Sequence, residues 1–301
     1  MLGLLLLCLG ASPVTVSAAG DLHLGSSTLE AHVAPLSQLL EGDVRFVNLE
    51  GPITKSGRES GVMAIGKPTG PLRFNAPPIA AKWLAGRVDV VSLANNHAMD
   101  QGKRGLAETV SQLRARGIQA ATASTDAVLE RQGRKVRLLA RELPELWSPE
   151  DEASLESRVH EAREAGPVLV SLHWGHTGAL LPTEDQRRLA ARLIDAGATA
   201  VLGHGPHTPQ GIERHGRGVI AYSLGNLAFA CGCTDERDAY VLRFRIDEAG
   251  AAVDVEALPI QAGLREAPRR ADDPGVAQLL QSLSEDLGSE VRLEDGRVLI
   301  R

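Results

Sequence analysis

Five short apolar runs in this chain each stop abruptly at a cluster of polar side chains. "VTVSAAGDLHLG" ends at Asp21 and His23, and "VRFVNLEGP" at Asn48 and Glu50. "VVSLANNHAMDQG" ends at Asn95, Asn96, His97 and Asp100. "VLVSLHWGH" ends at His173 and His176, and "ATAVLGHGPH" at His204 and His207. Runs this apolar, separated by segments with helical spacing, read as buried strands of an α/β sheet. In open α/β sheets the chemistry sits beyond the carboxyl ends of the strands.

The rest of the chain fits that pattern. Strands are expected at Val14–Ala18, Val44–Leu49, Val88–Leu93, Val168–Leu172, Ala198–Leu202 and Val219–Tyr222. Helical patterns cover Leu106–Arg116, the charged stretch "SPEDEASLESRVHEAREAG" and Gln186–Ala196, with a short helix from Ile79. Ser148 and Asp151 have the spacing of a capping box at the start of the charged helix. After Tyr240 the alternating "YVLRFRID" and "AVDVEALPI" read as strands, and a last helix near 275–287 precedes a two-strand tail. No linker or internal repeat divides the chain. The expected layout is an apolar lead-in or signal over residues 1–12, one domain over 13–265, and a C-terminal helix with short strands packing on it over 266–301.

The run Leu2–Leu9 has the length of a signal-peptide core and is too short to span a bilayer. It lacks a basic lead, and cleavage near Ala11 would preserve the first strand, whereas cleavage near Ala18 would destroy it. Export to the periplasm or cell envelope is the expectation, with a cytoplasmic location as the alternative, and this segment is the one expected membrane contact. The net charge is −6, with no basic run interleaved with aromatics, which disfavours nucleic acid as a partner. Cys231-Gly-Cys233 allows either a tight disulfide or two free thiols.

Chemistry is carried by the polar ends taken together. Asp21 and His23 lie two apart on an extended chain and point the same way, as ligands of one metal can. Glu50 precedes Gly51-Pro52, at a turn that aims a carboxylate into a cleft. Asn96 offers an amide oxygen, and His97 beside it is placed to act as a proton donor, although either asparagine also suits a helix N-cap. His204 and His207 share one rigid loop, where Gly203 and Gly205 permit a sharp turn. Five of the nine histidines fall at strand ends: His23, His97, His173, His204 and His207. Carboxylates, an amide and several imidazoles make a donor set for divalent ions, with Mn, Fe and Zn the candidates.

At these residues the chain resembles the CapA family, associated with bacterial capsule and poly-γ-glutamate synthesis. The resemblance rests on "GDLHLG", "NLEGPIT", "RFNAPP", "VSLANNHAMDQG", "VSLHWGH", "GHGPHTPQGIE" and "YSLGNLAF", which occur in that order over about residues 14 to 230. The family is similar to the calcineurin-like metallophosphatases. That similarity implies a sandwich of two mixed β-sheets flanked by helices, with two metal ions at the strand ends. It implies that Asp21, His23 and His207 hold one ion and that Asn96, His173 and His204 hold the other. Glu50 stands where metallophosphatases keep a bridging aspartate, and His97 where a histidine protonates the leaving group.

The chain departs from the pattern at Glu50, which is longer than aspartate, and at His23, which is often apolar in the family. It departs again at His176, often acidic there, and in the H-x-x-H spacing of His204 and His207. Arg73 and Lys67, in the long Gly- and Pro-rich segment 51–78, and Asn226 are the expected substrate-binding residues. The expected function is a metal-dependent hydrolase or transferase. It would act on a phosphoester or on an amide bond of an anionic envelope polymer such as poly-γ-glutamate. The alternative is a non-catalytic polymer-binding or scaffolding subunit of a polymer-synthesis assembly.

Overall fold

A computed structural model describes residues 12–61, 70–231, 233–234, 236–263 and 266–301. Residues 1–11 of the expected lead-in or signal, and Lys67, lie outside the described residues. The chain begins with β1 (Val14–His23), two single-turn helices α1 (Glu30–Val33) and α2 (Leu36–Leu39), and β2 (Val44–Leu49). Then come α3 (Ile79–Leu84), β3 (Val90–Ser92), α4 (Gly102–Arg114) and β4 (Gln119–Ala121). A hairpin, β5 (Ala127–Arg131) and β6 (Arg134–Glu142), leads to α5 (Pro149–Arg163), β7 (Val168–His173), α6 (Glu184–Asp195) and β8 (Ala200–His204). The strands β9 (Ile212–His215), β10 (Gly218–Ala221), β11 (Asn226–Phe229), β12 (Asp238–Ile246), β13 (Ala252–Gln261) and β14 (Arg269–Arg270) follow. The chain closes with α7 (Gly275–Asp286), β15 (Val291–Glu294) and β16 (Arg297–Ile300).

The strands form two mixed sheets. The first runs β15-β16-β13-β12-β1-β2-β3-β4, with β11 beside β1 and β14 on β13. Its β1, β2, β3 and β4 are parallel, and β12 and β13 are antiparallel to their neighbours. The second runs β5-β6-β7-β8-β10-β9, parallel from β6 through β10 with a hairpin strand at each edge. The C-terminal strand β16 pairs with β13, so the chain's end extends the first sheet.

Side chains on a strand alternate between faces. Val44 and Phe46 of β2, Leu138 of β6, Leu169 of β7 and Leu202 of β8 meet in the layer between the sheets. Val47 and Leu49 pack outward with α1, α2, α3 and α4. Val170 and Val201 pack outward with α5 and α6. The result is the expected sandwich with helices on both outer faces. Ser148 and Asp151 make the expected capping box on α5, and Thr183 and Gln186 make another on α6.

The same alternation decides where the polar residues go. The inward positions of β2 continue to Asn48 and Glu50, those of β7 to His173, and those of β8 to His204. In β1 the inward set is Val14, Val16 and Ala18, which alone would send Asp21 outward. The register of β1 against β2 shifts between Ala19 and Asp21. Such a bulge flips the facing of all that follows. Leu22 accordingly packs in the outer cluster, and Asp21 and His23 fall on the inter-sheet side. Gly20 at the shift has no room for a side chain, since an added Cβ would lie 1.8 Å from the Gly225 carbonyl oxygen.

Candidate metal centre

Asp21 occupies the middle of the polar cluster and is fully buried. Its Oδ1 accepts a hydrogen bond from Asn48 Nδ2 at 2.9 Å, and its Oδ2 accepts one from the Gly205 backbone N–H at 3.3 Å. His204 Nδ1 lies 3.3 Å from Oδ1 and His207 Nδ1 lies 3.2 Å from Oδ2. Glu50 is also fully buried, with Oε1 3.9 Å from His207 Nε2. Asp21, Glu50 and His173 each present one ligand atom, and these atoms lie within 4.8 Å of one another. His173 and His204 are brought level by the parallel register of β7 and β8. The loop after β8 turns through Gly205 at φ +108° and His207 at φ +62°. A histidine in the left-handed region is uncommon, and this one has a carboxylate on each side.

The electrostatics follow from burial and from the two carboxylates. Burial favours the protonated form of Asp21, but His204 and His207 outweigh it and hold the carboxyl well below its usual range. Burial pushes Glu50 up to about 8, against the pull of His207. Burial would lower His207, but the Glu50 and Asp21 charges raise it to about 10. Burial pushes His23 and His173 down to about 3, so both imidazoles are neutral at physiological pH.

His97 lies outside the carboxylate cluster. Its Nδ1 is 2.7 Å from Asp100 Oδ2, which also accepts the Phe74 backbone N–H at 2.6 Å. Phe74 is stacked between two imidazoles, with ring centroids 3.8 Å from His23 and 3.8 Å from His97. Phe229 lies against His23 and edge-on to His207. Phe74, Phe229 and Cys231 form a small apolar cluster, and Cys231 is joined to Cys233 by a disulfide.

Several expected site residues fall elsewhere. Asn96 is exposed, and the buried amide of its motif is Asn95. Asn95 donates to Asn48 Oδ1 at 3.1 Å and to the Leu49 carbonyl at 2.9 Å, so Asn95 rather than Asn96 ties the third strand end to the cluster. The turn after Leu93 is not an extended strand, and strand alternation no longer says which side chain faces inward. Asn226 is fully buried, with Oδ1 2.9 Å from His207 Nδ1, and holds that imidazole rather than opening to a cleft. Arg73 is exposed beside Asp100. His176 is exposed near Glu145, outside the cluster. Glu59 carries no signal in the sequence, because it does not end an apolar run, and Phe74 enters only as part of the motif "RFNAPP", with no role assigned to it. Glu59 Oε1 lies 3.9 Å from His23 Nε2.

The donor set fits divalent metal. Among the described residues, both oxygens of Glu50 and both ring nitrogens of His23 and of His204 are buried without a hydrogen-bond partner. An unsatisfied buried carboxylate is costly, and buried charges are normally paired or bound to metal. The imidazoles of His23 and His173, kept neutral by burial, are in the protonation state a ligand needs.

Residues 15–230 match the family described as bacterial capsule synthesis protein PGA_cap. The chain is 29% identical over 230 residues to the PGA biosynthesis protein CapA of Bacillus subtilis (strain 168), covering 69% of this chain and 60% of that protein. It is 29% identical over 204 residues to the capsule biosynthesis protein CapA of Bacillus anthracis, covering 58% of this chain and 48% of that protein. The match thus spans about half to three-fifths of these relatives' own length. A 5'-nucleotidase precursor from Thermus thermophilus superposes with a TM-score of 0.52 at 13% identity, over 92% of this chain and 59% of that one. That likeness is one of fold, the metallophosphatase sandwich.

Proposed function

This chain belongs to the bacterial capsule synthesis protein family PGA_cap, and on that premise we propose that it is a metal-dependent hydrolase or transferase of envelope-polymer synthesis. The scissile bond would be a phosphoester, or an amide of a polymer such as poly-γ-glutamate. One observation carries the reading: Glu50 and His204, buried without a hydrogen-bond partner, meet Asp21 and His173 at the ends of strands from both sheets. Asp21, Glu50 and His173 would share one ion, with His204, His207 and His23 completing the coordination of a pair. When bound, Mn, Fe or Zn there would supply Lewis-acid charge neutralisation and a nucleophile at neutral pH.

The chain's own residues do the remaining work. Asp100 fixes the His97 ring through Nδ1 and leaves Nε2 to deliver a proton to the departing oxygen or nitrogen. Phe74 and Phe229 wall the imidazoles with apolar surface, which excludes water from that side. Asn226 and Asp21 fix the orientation of His207. Association with proteins of a polymer-synthesis assembly, and an exported or envelope location, belong to the same proposal.

A second reading, a non-catalytic subunit whose metals only staple the strand ends, draws on the burial. Asp21 and Glu50 are fully enclosed and His204 is 1% exposed, leaving little room for a polymer. The variant His97→Ala separates the two. Turnover on phosphoester and γ-amide substrates should fall by about 10²–10⁴-fold, while metal content holds. Metal-loaded protein that turns over nothing in such a screen, or a variant as fast as the parent, favours the staple.

A further inference from the structure

A cleft of about 460 Å³ is lined by Leu72, Arg73, Met99, Asp100, Gln101 and Gly102. Asp100 belongs both to this cleft and to the His97 pair, so one wall of the cleft adjoins that pair. Gln101 fastens a second segment alongside it. Its Nε2 donates to the Arg58 carbonyl at 2.9 Å and the Phe74 carbonyl at 3.0 Å, and its Oε1 accepts the Arg58 N–H at 3.3 Å. The cleft is thereby flanked by Arg58 and Arg73, with Lys103 and Arg104 immediately after Gly102 and Lys55 three residues before Arg58.

These five side chains are exposed. Arginines elsewhere in the chain are commonly ion-paired, as Arg45 and Arg131 are on Asp89 and Arg188 and Arg192 on Glu152. Among the described residues, no carboxylate lies within ion-pair distance of Lys55, Arg58, Arg73, Lys103 or Arg104. The nearby carboxylates are engaged otherwise: Asp100 by His97, Glu59 by Ser26, and Glu108 by the Lys55 backbone N–H. A local cationic surface on a chain of net charge −6 attracts anions to one place. The five charges come from three separate segments, which suits an extended anion better than a single small one. Leu72 and Met99, the latter 47% exposed, add apolar contact for the carbon backbone of such a chain.

We propose that this cleft binds a linear polyanion, with Arg58 and Arg73 as its principal contacts, and presents it to His97. The inference rests on the reading that the site serves a polymer, and it does not rest on the metal. The test is therefore made on the full chain stripped of metal by chelator, by fluorescence anisotropy at low and at high salt. The probes are a labelled glutamate oligomer, a neutral glutamine oligomer of equal length, and a polyphosphate.

The glutamate oligomer should bind the parent protein and weaken as salt screens it, and the glutamine oligomer should not bind. The double variant Arg58→Ala, Arg73→Ala should bind at least about tenfold more weakly. The control Arg245→Ala, Arg292→Ala, at exposed sites outside the cleft, should leave binding unchanged. Polyphosphate bound more tightly than glutamate, and lost in the same variant, would keep the site and assign it to phosphate chains. Equal binding by parent and cleft variant, or none by the parent at low salt, would overturn the proposal. Circular dichroism and the thermal midpoint check that the variants fold. Because metal is absent throughout, failure here leaves the metal-dependent reading standing, and failure of that reading leaves this one standing.

Discussion

The cluster's behaviour turns on where single protons sit. His207 keeps its proton up to about pH 10, because the Glu50 and Asp21 charges overcome the effect of burial. Burial keeps Glu50 protonated up to about 8. A ligand must lose its proton before it can bind a metal. Protons therefore compete at both residues near pH 7, and the competition fades as pH rises through these values. His173, pushed down to about 3 by burial, adds nothing to the linkage there. Metal affinity should increase from pH 7 to pH 9, with net proton release at pH 7. Isothermal titration in buffers of different ionisation enthalpy measures both, and a flat affinity with no proton release would contradict the assignment of Glu50 and His207 as ligands. Glu50, His173 and His204 could be named from the sequence because each continues an apolar run whose facing it inherits, whereas Asp21 and His23, named from their spacing at a strand end, reach the inter-sheet side only through the register shift before Asp21, and His207 only through the turn after His204. Asn95 and Asn96 could not be told apart that way. Their turn breaks the alternation, and only the tertiary bonds of Asn95 to Asn48 and Leu49 decide. Phe74 carries no local signal, since its stacking on His23 and His97 exists only once two distant strand ends meet.

Among the elements, β1 carries the largest consequence for the site. Its register shift at Gly20 turns Asp21 inward, and the backbone of Gly225 fills the space a side chain would need. Gly20→Ala should therefore force β1 from β11, cost about 1–3 kcal/mol or more, and lower metal content as Asp21 moves. A denaturant midpoint with metal analysis on the same preparation checks this, and a variant with unchanged midpoint and full metal would contradict it. The long apolar strands and the capped helix at Ser148 were legible because period and punctuation agree, whereas the cap at Thr183 emerged only in the structure. The hairpin β5–β6 falls where the sequence reading places no strand. Ala127 and Leu129, then Val136 and Leu138, are buried at alternate positions, Glu130, Arg131, Arg134 and Lys135 lie between, and the continuous buried run is only Leu138–Ala140. Its turn places Gln132 at φ +51° and Gly133 at φ +73°, the primed-turn geometry that hairpins use but which Gln-Gly signals weakly. The bulge was equally hidden, because nothing in "SAAGDLH" marks which residue loses its partner.

In the whole molecule the site is a seam. Asp21 and Glu50 come from the first sheet, and His173 and His204 from the second. Metal bound between them would join the sheets, so loading should raise the thermal midpoint, by an amount equivalent to about 2.7 kcal/mol at a free metal concentration 100 times the dissociation constant. The sandwich itself could be expected from the order of the motifs, but the strand order could not. The pairing of β16 with β13 and the placement of β11 beside β1 join segments far apart in sequence and leave no local trace. The central claim is that this seam holds metal. The most direct test is the metal content, by mass spectrometry, of protein purified without a metal-affinity tag, beside Asp21→Ala and His204→Ala variants. The account predicts about two divalent ions per chain, reduced in both variants. No bound metal, even after reconstitution with Mn or Zn, would contradict it.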